Sequence, residues 1–191
     1  MPLQIVEADI RFVAGKEIQR LGRVSPQLVW HSMYFNPVKS AIVLFLQDFL
    51  RRFLRESGPD AALWDYVALS LRVLDEIPVI CAPNFHIAFL CNLLPIAGIA
   101  PDLEGYRPGY MLDMRAGVFS GSEPLHSDFL SAQESAVAHR LGRISFANMN
   151  RFRFSGDERR RVIRKLLRYY AIHLPGLDSL RSTEVLGLVF H

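Results

Sequence analysis

Between Asn36 and Leu94 apolar side chains return every three to four residues, a period that gathers them on one side of a helix but scatters them over both faces of a strand. This stretch commits the chain to a helical core. Asn36 stands where an N-cap belongs and Pro37 at the first helical position. Over Val38 to Glu56, Ile42, Phe45, Phe49 and Phe53 share a wide apolar face with Leu46, Leu50 and Leu54, and Gly58-Pro59 is the expected stop. A second helix is predicted over about Ala61 to Ile77, with Leu63, Val67, Leu71 and Leu74 on one side and Pro78 behind it. A third starts near Pro83 and carries Phe85, Ile87, Phe89, Leu90, Leu93 and Leu94, with Pro95 bending or finishing it. Short turns between such helices imply a mainly α protein built as an antiparallel bundle.

The flanks read differently. Leu3, Ile5, Ile18, Leu21 and Val24 lie in short β-compatible runs around Val13 to Lys16, where Gly15 suits a turn, so a hairpin is expected. Between Ala97 and His126 the chain is rich in Gly, Pro and Ser, and Tyr110 to Asp113 can pair with Gly117 to Ser120 as a small hairpin insertion. Ser131 with Glu134 offers a capping box for a helix through about Leu141. Ser155 with Glu158 offers another, for a helix from about Gly156 to Leu174 that Pro175-Gly176 stops.

Charge is uneven along the chain. Arg140, Arg143, Arg151, Arg153, Arg159, Arg160, Arg161, Arg164, Lys165 and Arg168 face only Asp157 and Glu158 in the stretch from Arg140 to Leu174. That local excess exceeds the +3 balance of the whole chain, so the remainder is net acidic. Clustered Arg attracts phosphates or acidic peptides. On the last helix Val162, Ile163, Leu166, Leu167 and Tyr170 form the apolar side, with Arg161, Arg164 or Lys165, and Arg168 on the other. Two readings stand: a solvated helix face, or a strip for nucleic-acid backbone on Arg151, Arg153, Arg159, Arg160, Arg161, Arg164, Lys165 and Arg168. Phe152 and Phe154 interleave with that basic run and suit either base stacking or the core of a turn.

With 191 residues, half of them hydrophobic, the chain can bury a core in one domain without a metal or a disulfide. Cys81 and Cys91 form no CxxC and read as buried, reduced thiols, as in a reducing compartment. Glu7 and Asp9 interrupt the start where a signal peptide would be basic and then apolar, and no apolar run is expected to span a bilayer. A soluble intracellular protein is expected. His31, His86, His126, His139, His173 and His191 show no metal-ligand spacing, and GxSxG, Walker A and GxGxxG motifs are absent from the sequence. His86 reads as a satisfied core residue, and His173 as having a local structural role on the last helical turn, where the helix dipole favours a cation. No constellation argues for catalysis, and an enzyme would need a site assembled from residues distant in sequence.

Leu166 to Tyr170, His173-Leu174, Leu180 to Ser182 and Val185-Leu186 together resemble the C-terminal signature of the bacterial DNA repair and recombination protein family RecO. Asn36 to Ile42, Phe45-Leu46 with Phe49-Leu50, Asn84 to His86, and Pro101 to Arg107 are similar to its Bacteroidetes forms. The matches run in order across nearly the whole chain. The resemblance implies a recombination mediator that binds single-stranded and duplex DNA and works with the partner RecR to load the RecA recombinase. It also implies a hold on the acidic, Phe-ending tail of single-stranded DNA-binding protein, and a cytoplasmic, nucleoid-associated place of action.

The family's fold is an OB barrel followed by a helical domain with a zinc-finger-like insertion. By that resemblance residues 1–30 are the last hairpin and linker of a truncated OB fold, and residues 31–191 the helical domain. The insertion, about residues 100–125, contains no Cys where many relatives have four, so no zinc is expected. Tyr106, Tyr110, Leu112 and Phe119 would hold that hairpin instead. For the acidic tail, Arg51, Arg52, Arg55 and Arg72 are the candidate rim of an apolar pocket between helices, residues that serve equally well as ordinary surface charges. No cofactor is expected. A module binding nucleic acid through its basic helix alone is the alternative.

Overall fold

A computed structural model describes residues 1–55 and 58–177. The tail residues of the resemblance, Leu180 to Ser182 and Val185-Leu186, lie outside the described residues.

The expected N-terminal hairpin is present as β1 (Val6–Arg11) and β2 (Arg20–Pro26), antiparallel, with a bulge between Ala8 and Ile10. Gly15 takes φ +80° in the loop, the left-handed conformation that favours glycine. The register sets Val6 opposite Pro26, Ala8 opposite Val24 and Ile10 opposite Leu21, which gives the ribbon one apolar face. Val6, Ile10, Leu21 and Val24 on it are exposed. Among the described residues β1 and β2 pair only with each other, so the sheet is a two-stranded ribbon and no closed barrel.

Helix α1 (Pro37–Phe53) starts as its sequence dictates: Asn36 accepts hydrogen bonds from the N–H groups of Val38 and Lys39, with Pro37 in the first turn. It stops at Phe53, ahead of the expected end near Glu56. Helix α2 (Ala61–Glu76) is capped by Asp60, which sequence reading passed over, and ends where Ile77 turns extended before Pro78. A 3₁₀ turn over Val79–Asn84 leads into α3 (Phe85–Ile96), so the third helix begins later than Pro83 suggested. Pro95 sits inside its last turn, and the helix runs one residue beyond it.

Phe85 to Leu90, Leu93 and Leu94 are all buried, because α3 lies at the centre and touches α1, α2 and α5 (Gly156–His173). Tyr66 and Tyr170 donate their hydroxyls to the carbonyls of Phe89 and Leu90, and the Phe49 and Tyr170 rings meet edge to face at 5.1 Å. The run Val79–Ile96 is long and apolar enough to cross a membrane by length and composition, contrary to the expectation of no such run. Here Phe85 to Leu90, Leu93 and Leu94 build the core, while Val79 and Ile80 are exposed.

The insertion is larger than the expected hairpin. β3 (Met111–Asp113) pairs with β4 (Val118–Ser120) and also with β5 (Phe129–Leu130), giving the order β4-β3-β5. Tyr106 meets the Phe119 ring edge to face at 5.2 Å, Leu112 lies opposite Phe119 in the register, and Tyr110 closes over Gly121. α4 (Ala132–Leu141) and α5 both open with the capping boxes legible in the sequence, Ser131 with Glu134 and Ser155 with Glu158.

Candidate functional site

The basic residues of α5 are only partly available. Arg159 turns inward: its Nε donates to Asn84 Oδ1 at 3.1 Å and its Nη2 to the Phe154 carbonyl at 3.1 Å. Burial lowers its pKa, although a guanidinium so placed stays charged. Asn84 in turn donates to the carbonyls of Met149 and Phe152, clamping the 3₁₀ turn Met149–Arg151 against the start of α3. Arg160 pairs with Asp157 on its own helix. Lys165 reaches Glu134 of α4 at 3.2 Å, and Arg168 reaches Asp128 at 2.8 Å. Asp128 holds Arg115 of the insertion with its other oxygen at 2.7 Å.

The strip expected for nucleic-acid backbone is therefore broken up. The net acidic remainder of the chain supplies partners for Lys165 and Arg168, while Arg153, Arg161 and Arg164 are exposed with no ion pair among the described residues. Phe152 and Phe154 are half-buried, their rings stacked on each other at 6.3 Å. They pack against the hydrophobic core.

A cavity of about 690 Å³ opens at the foot of α1 and brings three of the candidate rim residues together. Arg51, Arg52 and Arg55 line it with Asp48 and Asp60, and Phe53, Leu63, Ile96 and Leu177 supply apolar wall. The elements explain the gathering: α1 ends here, α2 begins, α3 ends, and the chain leaves α5 through Leu174-Pro175-Gly176. Arg52 Nε meets Asp48 Oδ1 at 3.2 Å one turn back, which fixes one guanidinium at the edge. The Phe53 ring stacks on Phe49 at 5.6 Å and touches Tyr170, so the apolar wall is continuous with the core. Arg72 is exposed further along α2 and lines no part of this cavity.

A second cavity, about 770 Å³ and mostly apolar, lies between α3, α4, α5 and the insertion, over Leu94, Val137 and Leu166. Cys91 lines it, half-buried as a residue, and burial of its thiol pushes the pKa up to about 12. Cys81 is half-buried too, and both thiols are free.

Among the described residues the histidines take structural places. His86 is fully buried in edge contact with Phe45, and burial, aided by the charge of Arg159, lowers its pKa to about 3, which keeps it neutral. His173 lies in the last turn of α5 with Nε2 2.8 Å from the Met114 carbonyl, and His139 stacks on Tyr106 at 4.2 Å. His126 meets Asp113 at 3.3 Å. Burial acts to raise the Asp113 pKa, but the N–H groups of Ala116 and Arg115, with His126 beside it, outweigh burial and hold it below the usual range. Among the described residues no three His, Cys, Asp or Glu side chains gather as a metal site would require.

One buried polar group escaped the sequence reading. Lys39, 2% exposed, projects from α1 and donates to Ser32 Oγ and the Asp75 carbonyl, both at 2.7 Å. The Asp75 carboxylate accepts the N–H groups of His31, Ser32 and Met33, each at 2.8 Å. The signal was a lysine three residues before Ile42, on the same helical face.

The family described as "Recombination protein O C terminal" matches residues 34–184. A DNA repair protein RecO from Azobacteroides pseudotrichonymphae is 32% identical over 189 residues, covering 99% of this chain and 78% of its own length. The RecO protein of Phocaeicola vulgatus is also 32% identical over the same shares, and that of Porphyromonas gingivalis is 38% identical over 81% of this chain and 64% of its own. These relatives are named for DNA repair and for no catalytic activity. No solved structure matches.

Proposed function

The chain belongs to the RecO family of DNA repair proteins, and from that premise we propose that it serves recombinational repair as a binding protein that holds the acidic, Phe-ending tail of single-stranded DNA-binding protein. The carrying observation is the cavity where Arg51, Arg52 and Arg55 surround a wall of Phe53, Leu63, Ile96 and Leu177. A terminal Phe supplies apolar area to such a wall, and forked guanidinium groups pair with the carboxylates beside it. RecR and DNA, single-stranded and duplex, are the other partners in this reading. Residues 1–30 then act as an OB-type hairpin ahead of the helical domain.

Fluorescence anisotropy of the full chain with a labelled acidic tail peptide, beside the same peptide lacking its Phe, tests the proposal. Binding that requires the Phe is expected. Equal binding of both peptides, or of neither, refutes the tail cavity.

A further inference from the structure

A third concavity, about 270 Å³, lies at the corner where α4 ends, and its lining is His139, Arg140, Arg143, Asn148, Arg151 and Phe152. Its frame is fixed by hydrogen bonds that engage the Asn148 side chain. The Asn148 side chain accepts from the Ser145 N–H at 2.8 Å and donates to the Arg143 carbonyl at 2.9 Å. From behind, Asn84 holds the carbonyls of Met149 and Phe152. His139 is braced by its stack on Tyr106. Beside the His139 ring, three guanidinium groups line the concavity.

Arg140, Arg143 and Arg151 are exposed, and none makes an ion pair among the described residues, whereas Arg160, Lys165 and Arg168 of α5 each have a carboxylate. The carbonyl end of α4 explains a cation at Arg140, in its last turn. It does not explain Arg151, which reaches the corner from a separate 3₁₀ turn.

We propose that this corner binds the terminal phosphate of a nucleic-acid strand, with the phosphomonoester among Arg140, Arg143 and Arg151 and the last base against Phe152. A monoester is close to dianionic and presents three oxygens, which matches three guanidinium groups lining one concavity better than a singly charged diester does. The space suits a phosphate with its sugar and no longer stretch of strand, and the ring beside it favours a nucleotide over a phosphorylated peptide. The proposal rests on the DNA repair reading for its ligand class and not on the tail cavity. No peptide tail enters its main comparison, so either site can fail alone.

The test is anisotropy of the full chain with short labelled single strands carrying a 5′-phosphate, a 3′-phosphate, or hydroxyls at both ends. One phosphorylated strand should bind about tenfold tighter than the hydroxyl strand, as gain of charge-assisted hydrogen bonds implies. Arg143→Gln and Arg151→Gln should abolish that preference, while Arg164→Gln on α5 leaves it intact. Equal binding of all three strands by the unaltered protein overturns the proposal without recourse to variants. So does an equal loss with Arg164→Gln, or competition by a phosphoserine peptide as effective as that by the phosphorylated strand.

Discussion

Replacing Asp75 by Asn perturbs the contact that ties the segment after β2 to the helical body while changing almost no volume. In the native protein the carboxylate accepts three backbone N–H groups at 2.8 Å, and the Lys39 ammonium lies beside its own carbonyl. An Asn side chain has one acceptor oxygen and turns an NH₂ toward the rest, so at least one N–H loses its partner. Oδ1 accepts from Ser32 and from the fully buried Met33 while Oδ2 accepts from His31 alone, so an Asn that keeps its oxygen at Oδ1 loses the bond at His31, which is exposed and open to water. The opposed N–H and NH₂ at His31, with the loss of charge on the acceptor of the two remaining bonds and beside Lys39, together cost about 2 kcal/mol. Urea denaturation of both proteins, followed by circular dichroism, measures it. Lys39→Met keeps the three N–H bonds but takes the facing cation from a buried carboxylate and a donor from Ser32 Oγ and the Asp75 carbonyl, and should also cost about 2 kcal/mol. Burial acts to raise the Asp75 pKa, yet those N–H groups outweigh it and the net shift is downward. The stability Asp75 contributes is thus complete above the ordinary aspartate value of about 3.9 and is lost as pH falls through its lower folded value. A loss under about 1 kcal/mol for Asp75→Asn would refute this account of the lock.

Asp128→Ala should leave Arg115 and Arg168 facing each other without a counter-ion and loosen the insertion from α5, at a cost of about 2 kcal/mol in urea denaturation. The hydrogen bonds from Arg168 and Arg115 hold the Asp128 pKa down, so this contribution too disappears only as pH falls below the usual aspartate range. Asn84→Ala removes the clamp on the Met149–Arg151 turn and should cost about 2–3 kcal/mol, with faster proteolysis at that turn as an independent readout. Arg51→Glu with Arg55→Glu should weaken the acidic tail peptide by about tenfold or more in anisotropy, with the melting temperature little changed.

Elements encoded by neighbours in sequence were legible. Asn36, Ser131 and Ser155 cap where short-range chemistry demands, and the periods of α1, α2 and α5 give their buried faces directly. Pairings between distant residues were not. β5 is two residues long and exists because Leu112 and Asp113 pair with it, so no alternation announces it. Asp75 satisfies N–H groups more than forty positions away, and its place on α2 reads locally as a surface acid.

The candidate sites divide the same way. A run of Arg on one helix suggests a strip, but Asp128 and Glu134 come from other elements to neutralise Arg168 and Lys165. Arg51, Arg52 and Arg55 are close in sequence, so their gathering was legible, while Arg72, about three helical turns into α2, lines no part of the cavity. Arg140 and Arg143 counted toward the basic run without any sign that Arg151 would meet them.

Amide hydrogen exchange of the full chain, with and without saturating Phe-ending acidic tail peptide, tests the central claim most directly. Protection confined to the end of α1, the start of α2 and the end of α3, around Phe53, Leu63 and Ile96, is the result expected if the Arg51–Arg55 cavity holds the tail. Protection at the Arg140–Arg151 corner instead, or none anywhere while the peptide is bound, contradicts it.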